Sequence, residues 1–166
     1  MNVLAIDPGP KVSGWVILEK GSLKVLASGR ATPTEGVIEM VDIAASGHIV
    51  RDENGLMHIV DDVACEMIAS YGMAVGAEVF ETCLQIGRIC HAWEYGTSGR
   101  VTLVKRQEAK MHLCHSPKAK DANVMQALKD KLGEVGTKKN PGPLYGISKH
   151  AWAALAVGVY AAETRI

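Results

Sequence analysis

The chain has 166 residues, of which 48% are hydrophobic and 22% are charged, and its formal net charge is zero. This composition predicts a single globular domain over residues 1–166 and excludes a disordered chain. No apolar run reaches the roughly 20 residues of a membrane helix, and no signal-peptide pattern opens the sequence, so a cytoplasmic protein is expected.

The zero net charge conceals two unequal segments. Residues 1–99 contain 6 Lys and Arg against 13 Asp and Glu, whereas residues 100–166 contain 12 against 5. A chain polarised in this way can present a basic face to a polyanion while remaining neutral overall. The alternative is a fold that mixes both segments on one surface.

The N-terminal part predicts an antiparallel meander followed by a helix. Short apolar stretches bounded by turn residues predict strands at 2–7, 13–19 and 23–31. Gly21-Ser22 supplies a tight turn between the second and third strands. Residues 34–46 have helical spacing, with Thr34 as the expected N-cap.

The middle part predicts a small hairpin or loop at 47–59, a strand at 60–68 and a long helix at 73–93. One face of that helix is expected to carry Val79, Phe80, Cys83, Ile86, Gly87 and Cys90. The C-terminal part predicts, in order, a strand at 100–105, a short helix or turn at 106–114, a helix at 118–132, a loop at 136–146 and a helix at 148–163 capped by Ser148. This order of elements predicts a mixed α/β fold.

The four cysteines form neither a CxxC pair nor a disulfide-like spacing, so buried, reduced thiols are expected. His112, Cys114 and His115 form a compact HLCH cluster. No second cluster stands at zinc-finger spacing, which argues against structural zinc.

Asp7 ends the first strand and Glu66 ends the predicted fourth strand. If these strands are parallel neighbours, both carboxylates lie at one sheet edge, where open α/β sheets place their sites. Two close acids repel unless a cation bridges them, and such oxygen ligands suit Mg²⁺. Taken alone, Asp-Pro-Gly is more typical of a simple turn.

Four segments together resemble one known family. LAIDPGPKVSGW resembles the first-strand motif of the RuvC family of Holliday junction resolvases, within the ribonuclease H-like superfamily. ACEMIASYG with the following LQIGR helix resembles its second-acid segment, KAKDANVMQAL its basic-flanked helix, and SKHAWAALAVGVYA its catalytic C-terminal helix. The motifs follow the family's order, and KKNPGPLYG suggests a divergent, phage-type branch.

The resemblance implies a ribonuclease H-like α/β fold: a mixed five-stranded sheet, with an antiparallel meander plus parallel strands, and helices on both faces. It implies two-metal-ion hydrolysis of phosphodiester bonds that leaves 5′-phosphate and 3′-hydroxyl ends. Asp7 would bridge two Mg²⁺ ions, for which Mn²⁺ can substitute, and Glu66 would be the second ligand. The protein would work in a bacterial or phage-infected cell.

The family's last helix supplies two further ligands three residues apart. Here they fall on His150 and on Ala153, and alanine cannot bind a metal. His150 is therefore expected to be a ligand and a catalytic residue, while the fourth ligand is missing. Asp121 is the nearest substitute, although an acid at a helix start also has a simple electrostatic role.

Positive residues near the proposed site predict contacts with DNA phosphates and a salt-sensitive affinity. They are Lys105, Arg106, Lys110, Lys118, Lys120, Lys138, Lys139 and Lys149. Tyr71 is the available aromatic for the family's base-contacting position after the second acid, and packing is its alternative role.

The favoured prediction is a homodimeric, Mg²⁺-dependent endonuclease that resolves branched DNA by symmetric nicks. The long helix, through Gly76, Val79, Phe80 and Cys83, is its expected dimer interface. The alternatives are another ribonuclease H-like nuclease and a junction-binding protein with an impaired site. An actin-like ATPase shares the Asp-x-Gly opening, but the chain is too short for its two domains.

Overall fold

The computed structural model describes residues 1–47, 49–72 and 74–164. Short apolar stretches form its strands and longer amphipathic stretches form its helices. In chain order these elements are β1 (Asn2–Asp7), β2 (Ser13–Glu19), β3 (Val25–Ala31), α1 (Glu35–Gly47), β4 (Ile49–Arg51), β5 (Met57–Ile59), β6 (Asp62–Met67), α2 (Ala77–Gly96), β7 (Thr102–Lys105), α3 (Arg106–Cys114), α4 (Asp121–Leu132) and α5 (Lys149–Thr164).

Five strands form the main sheet in the order β3-β2-β1-β6-β7. The β1–β2 and β2–β3 pairs are antiparallel, whereas β1–β6 and β6–β7 are parallel. β4 and β5 form a separate antiparallel hairpin. The predicted mixed sheet, with an antiparallel meander on one side and parallel strands on the other, is confirmed.

Helices cover both faces of this sheet, as predicted, and each face has its own apolar core. Helices α3, α4 and α5 pack on one face, around Leu128 and Leu155. Helices α1 and α2 pack on the other, around Ile89 and Trp93. The two cores use alternate residues of β1, because successive side chains of a strand point to opposite faces. The central strand β1 is therefore buried on both sides.

Most predicted elements occur with shifted ends, and the largest shift is at α2. This helix begins at Ala77, whereas Met73, its predicted start, lies outside the described residues. The predicted single apolar face of α2 is wrong, because it divides into two. Ile86 faces the core with Thr82 and Ile89, while Phe80, Cys83 and Gly87 are exposed.

Two predicted helix caps have other surroundings. The buried Thr34 hydroxyl donates to the carbonyl of Gly9, 2.8 Å away, instead of capping α1. The Ser148 hydroxyl is buried without a hydrogen-bond partner before α5, so it does not cap that helix. The Trp152 N–H bonds to the Ser148 carbonyl at 3.2 Å.

All four cysteines are free thiols, and they fall within the described residues. Cys65 is buried and Cys90 and Cys114 are half-buried, but Cys83 is exposed, against the prediction that all are buried. His112 contacts Glu163, with 2.6 Å between His112 Nε2 and Glu163 Oε2. In the part of the chain that the structure describes, no helix is both long and apolar enough to cross a membrane.

Candidate active site

Asp7 and Glu66 lie side by side on neighbouring parallel strands. In the β1–β6 register Ile6 is paired with Cys65, so the next residue of each strand is one of the two acids. The side chain of Glu66 is only 15% exposed, and that of Asp7 is partly buried. The predicted juxtaposition of the two carboxylates follows from this register.

A hydrogen-bonded turn holds the chain that follows Asp7. The Gly9 N–H donates to the Ser13 hydroxyl at 3.3 Å, and this hydroxyl donates to the Thr34 hydroxyl at 3.2 Å. The Thr34 hydroxyl in turn donates to the Gly9 carbonyl. Since Ser13 and Thr34 are fully buried, this cycle anchors the Pro-Gly turn to the start of α1 and fixes the end of β1.

The start of α5 reaches the acids because β2 has a glycine at the crossing. Gly14 is paired with Asp7 in the β1–β2 ladder. A Cβ atom on Gly14 would lie 2.3 Å from the carbonyl carbon and oxygen of His150. Only a residue without a side chain allows this approach, so Gly14 determines how close α5 comes to Asp7.

The acids open into a cavity of about 290 Å³ between β1, β6, α3, α4 and α5. Its polar lining carries three acids and three bases, together with an imidazole: Asp7, Glu66, Asp121, Arg106, Lys110, Lys149 and His150. The remainder is apolar and is formed by Ala109, Val124, Met125, Trp152, Ala153, Ala156 and Val157.

Burial and mutual repulsion perturb the acid pair. Burial, repulsion from Glu66 and a hydrogen bond with it raise the pKa of Asp7 to about 7, although Arg106 opposes the change. Burial also raises the pKa of Glu66, again against the effect of Arg106. An acid pair of this kind is stabilised either by a shared proton or by a cation placed between its oxygens.

Arg106 links Glu66 to Asp121. Its Nη1 lies 3.5 Å from Glu66 Oε1, and its Nη2 lies 2.8 Å from Asp121 Oδ1. Lys110 Nζ approaches the same Asp121 oxygen at 3.4 Å. The hydrogen bond from Arg106 holds the pKa of Asp121 below its usual value. Asp121 is therefore ionised and shared between two bases.

The donor set fits a divalent cation only in part. Mg²⁺ is commonly held by one or two carboxylates, while water and substrate phosphate complete its coordination. Asp7 and Glu66 can provide these two carboxylates. Among the described residues no three His, Cys, Asp or Glu side chains converge into a group that could hold a metal by itself. His150 lines the cavity but is exposed, and Ala153 lines it without a donor atom.

The other predicted DNA contacts are distributed around the cavity. Arg106, Lys110 and Lys149 line it. The remaining bases are exposed outside its lining, at Lys105, Lys118, Lys120, Lys138 and Lys139. Tyr71 is 53% exposed in the loop after β6. These assignments stay predictions.

Sequence reasoning missed the roles of Gly14 and of the Ser13–Thr34 pair, and it missed the Arg106–Asp121 bridge. The small residues in VSGW were a usable signal for a close backbone crossing at Gly14. Nothing in the local sequence points to the bridge, because Arg106 and Asp121 begin different helices.

Comparison with known proteins identifies the fold. The sequence matches no protein-family model and no curated protein. The structure is similar to that of Thermus thermophilus RuvC, with a TM-score of 0.66 and 19% sequence identity, covering 98% of this chain and 93% of that one. It is also similar to T. thermophilus RuvC in complex with a Holliday junction substrate, with a TM-score of 0.66, 16% identity and coverage of 98% and 92%. The chain therefore has a RuvC-like fold, as its motifs predicted.

Proposed function

We propose that this protein is a divalent-metal-dependent endonuclease that cuts branched DNA, and that it acts as a homodimer. The observation that carries the proposal is the Asp7–Glu66 pair, which lies partly buried on neighbouring strands and lines a cavity in a RuvC-like fold. One solved neighbour is bound to a Holliday junction, which favours a four-way junction as the substrate.

Asp7 and Glu66 would hold Mg²⁺, or Mn²⁺ in its place, through carboxylate oxygens, with His150 beside them. When bound, such an ion lowers the pKa of a water molecule and polarises the phosphate. Lys110 and Lys149 line the same cavity and would bind the phosphate, orienting it for in-line attack by the water. The P–O3′ bond would break as the P–O bond to water forms. The attacking water would release a proton to solvent and the O3′ leaving group would take one up from solvent, which leaves a 5′-phosphate and a 3′-hydroxyl.

Exposed lysine side chains around the cavity would bind the phosphates of the junction arms. Lys105 and Lys120 immediately precede α3 and α4, whose first residues line the cavity. Lys118, Lys138 and Lys139 would extend this basic surface, and Tyr71 would contact a base. Phosphate contacts of this kind make affinity fall steeply with salt concentration.

The outer face of α2 is the proposed dimer interface. It exposes an apolar stripe at helical spacing, formed by Phe80, Cys83, Leu84 and Gly87 and extended past His91 by Tyr95. Leu84 is 70% exposed and Tyr95 86% exposed, which is costly unless another surface covers them. Two-fold pairing of this stripe would place two active sites on one four-way junction.

The test is a nicking assay on a synthetic four-way junction with Mg²⁺. We expect paired, symmetric cuts by the wild-type chain and a loss of at least about 1,000-fold in Asp7→Asn, with junction affinity largely retained. Asp130→Asn is the matched control, because Asp130 is exposed on α4 and bonds Gln126. Cuts that persist in Asp7→Asn would contradict the assignment of the acid pair.

Ala153 favours a second candidate function, a junction-binding protein without cleavage. Its methyl group stands in the cavity where the resembled family has a metal-binding acid. Tight, salt-sensitive junction binding with no cutting, even in Ala153→Asp, would support this candidate and exclude the nuclease. Cutting that appears only in Ala153→Asp would show that the nuclease is disabled at this single position.

A further inference from the structure

Arg106 contacts Glu66 and Asp121 from an electrostatically unfavourable position. It is the first residue of α3, where the helix dipole disfavours a cation. The helix start is fixed there because the Glu108 carboxylate accepts the Lys105 N–H at 2.7 Å. A cation held at this point needs compensation, and Glu66 and Asp121 provide it.

Asp121 is positioned as the anchor for Arg106. It is the first residue of α4, where the dipole favours an acid, and the Asn123 side chain accepts the Lys120 N–H at 3.1 Å. Its contact with Arg106, at 2.8 Å, is the shortest of the three ion pairs in the cavity. Lys110 also contacts this Oδ1 atom, at 3.4 Å, so two cations already offset the charge that Asp121 could offer to a metal.

The two carboxylates that remain available for metal binding, Asp7 and Glu66, suffice for one ion. Asp7 and Glu66 can bridge one divalent cation, with the His150 imidazole in the same cavity. A second ion would need the donor that Ala153 lacks or the carboxylate that Arg106 and Lys110 share. It would also be repelled by the guanidinium, which is charged at every accessible pH and contacts Glu66.

We infer that Arg106, anchored by Asp121, replaces a second metal ion in this site, so that the chain binds one divalent cation. A planar guanidinium can bind two phosphate oxygens and stabilise charge that develops during phosphoryl transfer. Asp121 is then a positioning residue and not a ligand. This inference rests on the proposed nuclease function, because it concerns which cations, a metal ion or Arg106, occupy the same site.

The test is the number of Mn²⁺ ions bound by the full chain without DNA, counted by electron paramagnetic resonance at a pH above 7. We expect one ion for the wild-type chain and one for Ala153→Asp, since Arg106 still excludes the second. The double variant Ala153→Asp/Arg106→Ala should bind two ions, and Ala153→Asp/Arg106→Lys should bind one. In Arg106→Ala, the loss of a nearby positive charge should tighten the single ion about tenfold.

Arg88→Ala is the matched control, because Arg88 pairs with Glu35 at 3.3 Å on the opposite face and should leave binding unchanged. Circular dichroism verifies that each variant folds.

Two ions on the wild-type chain, a second ion in Ala153→Asp alone, or no bound ion would overturn the inference. Nicking measured on the same samples separates the two proposals: a wild-type chain that nicks with two ions contradicts only the role of Arg106. One that binds a single ion but never nicks contradicts only the nuclease.

Discussion

The two helix-covered faces of the sheet are both packed from apolar residues, but they present different surfaces to solvent. On the α5 face, the small residues of α5 pack tightly on β1, with Gly158 against Ala5. The cavity beside this core is lined by paired acidic and basic side chains. On the α1–α2 face, the outer side of α2 is apolar around Leu84. The first surface is therefore polar and charged, whereas the second is apolar.

On the α5 face, the close approach of α5 to the sheet can be disrupted by adding a single methyl group. In Gly14→Ala, the added methyl group would clash with the His150 carbonyl at 2.3 Å and force the start of α5 away from Asp7. We expect nicking to fall about 100-fold and the free energy of unfolding to fall by about 1–3 kcal/mol. Junction-nicking rates and urea unfolding measure the two effects.

Gly21→Ala is the control for this prediction, because a Cβ on Gly21 would meet no atom within 4 Å. It should retain wild-type nicking and stability. Wild-type nicking in Gly14→Ala would mean that the position of α5 relative to Asp7 is unimportant for the reaction.

The apolar α2 stripe can be disrupted without touching the acids. Leu84→Asp places a charge in the proposed dimer interface, and we expect the dimer dissociation constant to rise at least about thirtyfold. Size-exclusion chromatography with light scattering gives the mass. Met111→Asp is the control on α3, where Met111 is also an exposed apolar residue, at 48%, and it should remain dimeric. A monomeric wild-type chain would instead show that the stripe does not bind a second copy.

The acid pair should make the stability of the metal-free chain depend on pH. Because the pKa of Asp7 is raised from 3.8 to about 7, the folded chain holds a proton that the unfolded chain releases. The free energy of unfolding should therefore fall as the pH rises from about 4 to about 7. Asp7→Asn should reduce this slope, with a remainder from the raised pKa of Glu66, and should be more stable than the wild-type chain above pH 7, by about 2 kcal/mol.

Urea unfolding across this pH range, with metal chelated, measures the difference. Asp130→Asn should follow the wild-type curve, since its carboxylate lies outside the acid pair. Adding Mg²⁺ above pH 7 should stabilise the wild-type chain but not Asp7→Asn. Parallel curves for the wild type and Asp7→Asn would show that burial and Glu66 do not destabilise the ionised Asp7 carboxylate.

The turn after Asp7 provides the smallest expected effect. Ser13→Ala removes a buried hydroxyl from the Gly9–Thr34 cycle, and we expect a loss of about 1 kcal/mol in the free energy of unfolding. Nicking should fall only a few-fold, because the turn loosens while both acids remain. Ser98→Ala, at an exposed serine, should change neither quantity. Loss of nicking as large as in Gly14→Ala would assign the turn a direct role.

The sheet and its acids were predictable because short apolar strands followed by turn residues have few ways to pair. Asp7 ends β1 and Glu66 is the last residue but one of β6, and these strands are parallel neighbours, so the two acids lie close together. The contact of Gly14 with His150 and the bridge from Arg106 to Asp121 were not predictable. Both depend on how separate elements pack, and no local pattern specifies that packing.

The division of the α2 face was mispredicted for a related reason. Spacing places Cys83 and Ile86 on the same broad apolar stripe, but only the position of α1 and the sheet decides which part of it is covered. The sequence predicts too early a start for α2 because the segment before Gly76 is as apolar as the helix itself.

The central claim is that Asp7 and Glu66 together hold a divalent cation beside the start of α5. Diffraction from wild-type crystals grown with Mn²⁺, recorded at the manganese absorption edge, tests it most directly. We expect an anomalous peak between the Asp7 and Glu66 carboxylates, with His150 adjacent and Asp121 still bonded to Arg106. A cavity with no peak between these carboxylates, or a peak held by Asp121 without Asp7, would contradict it.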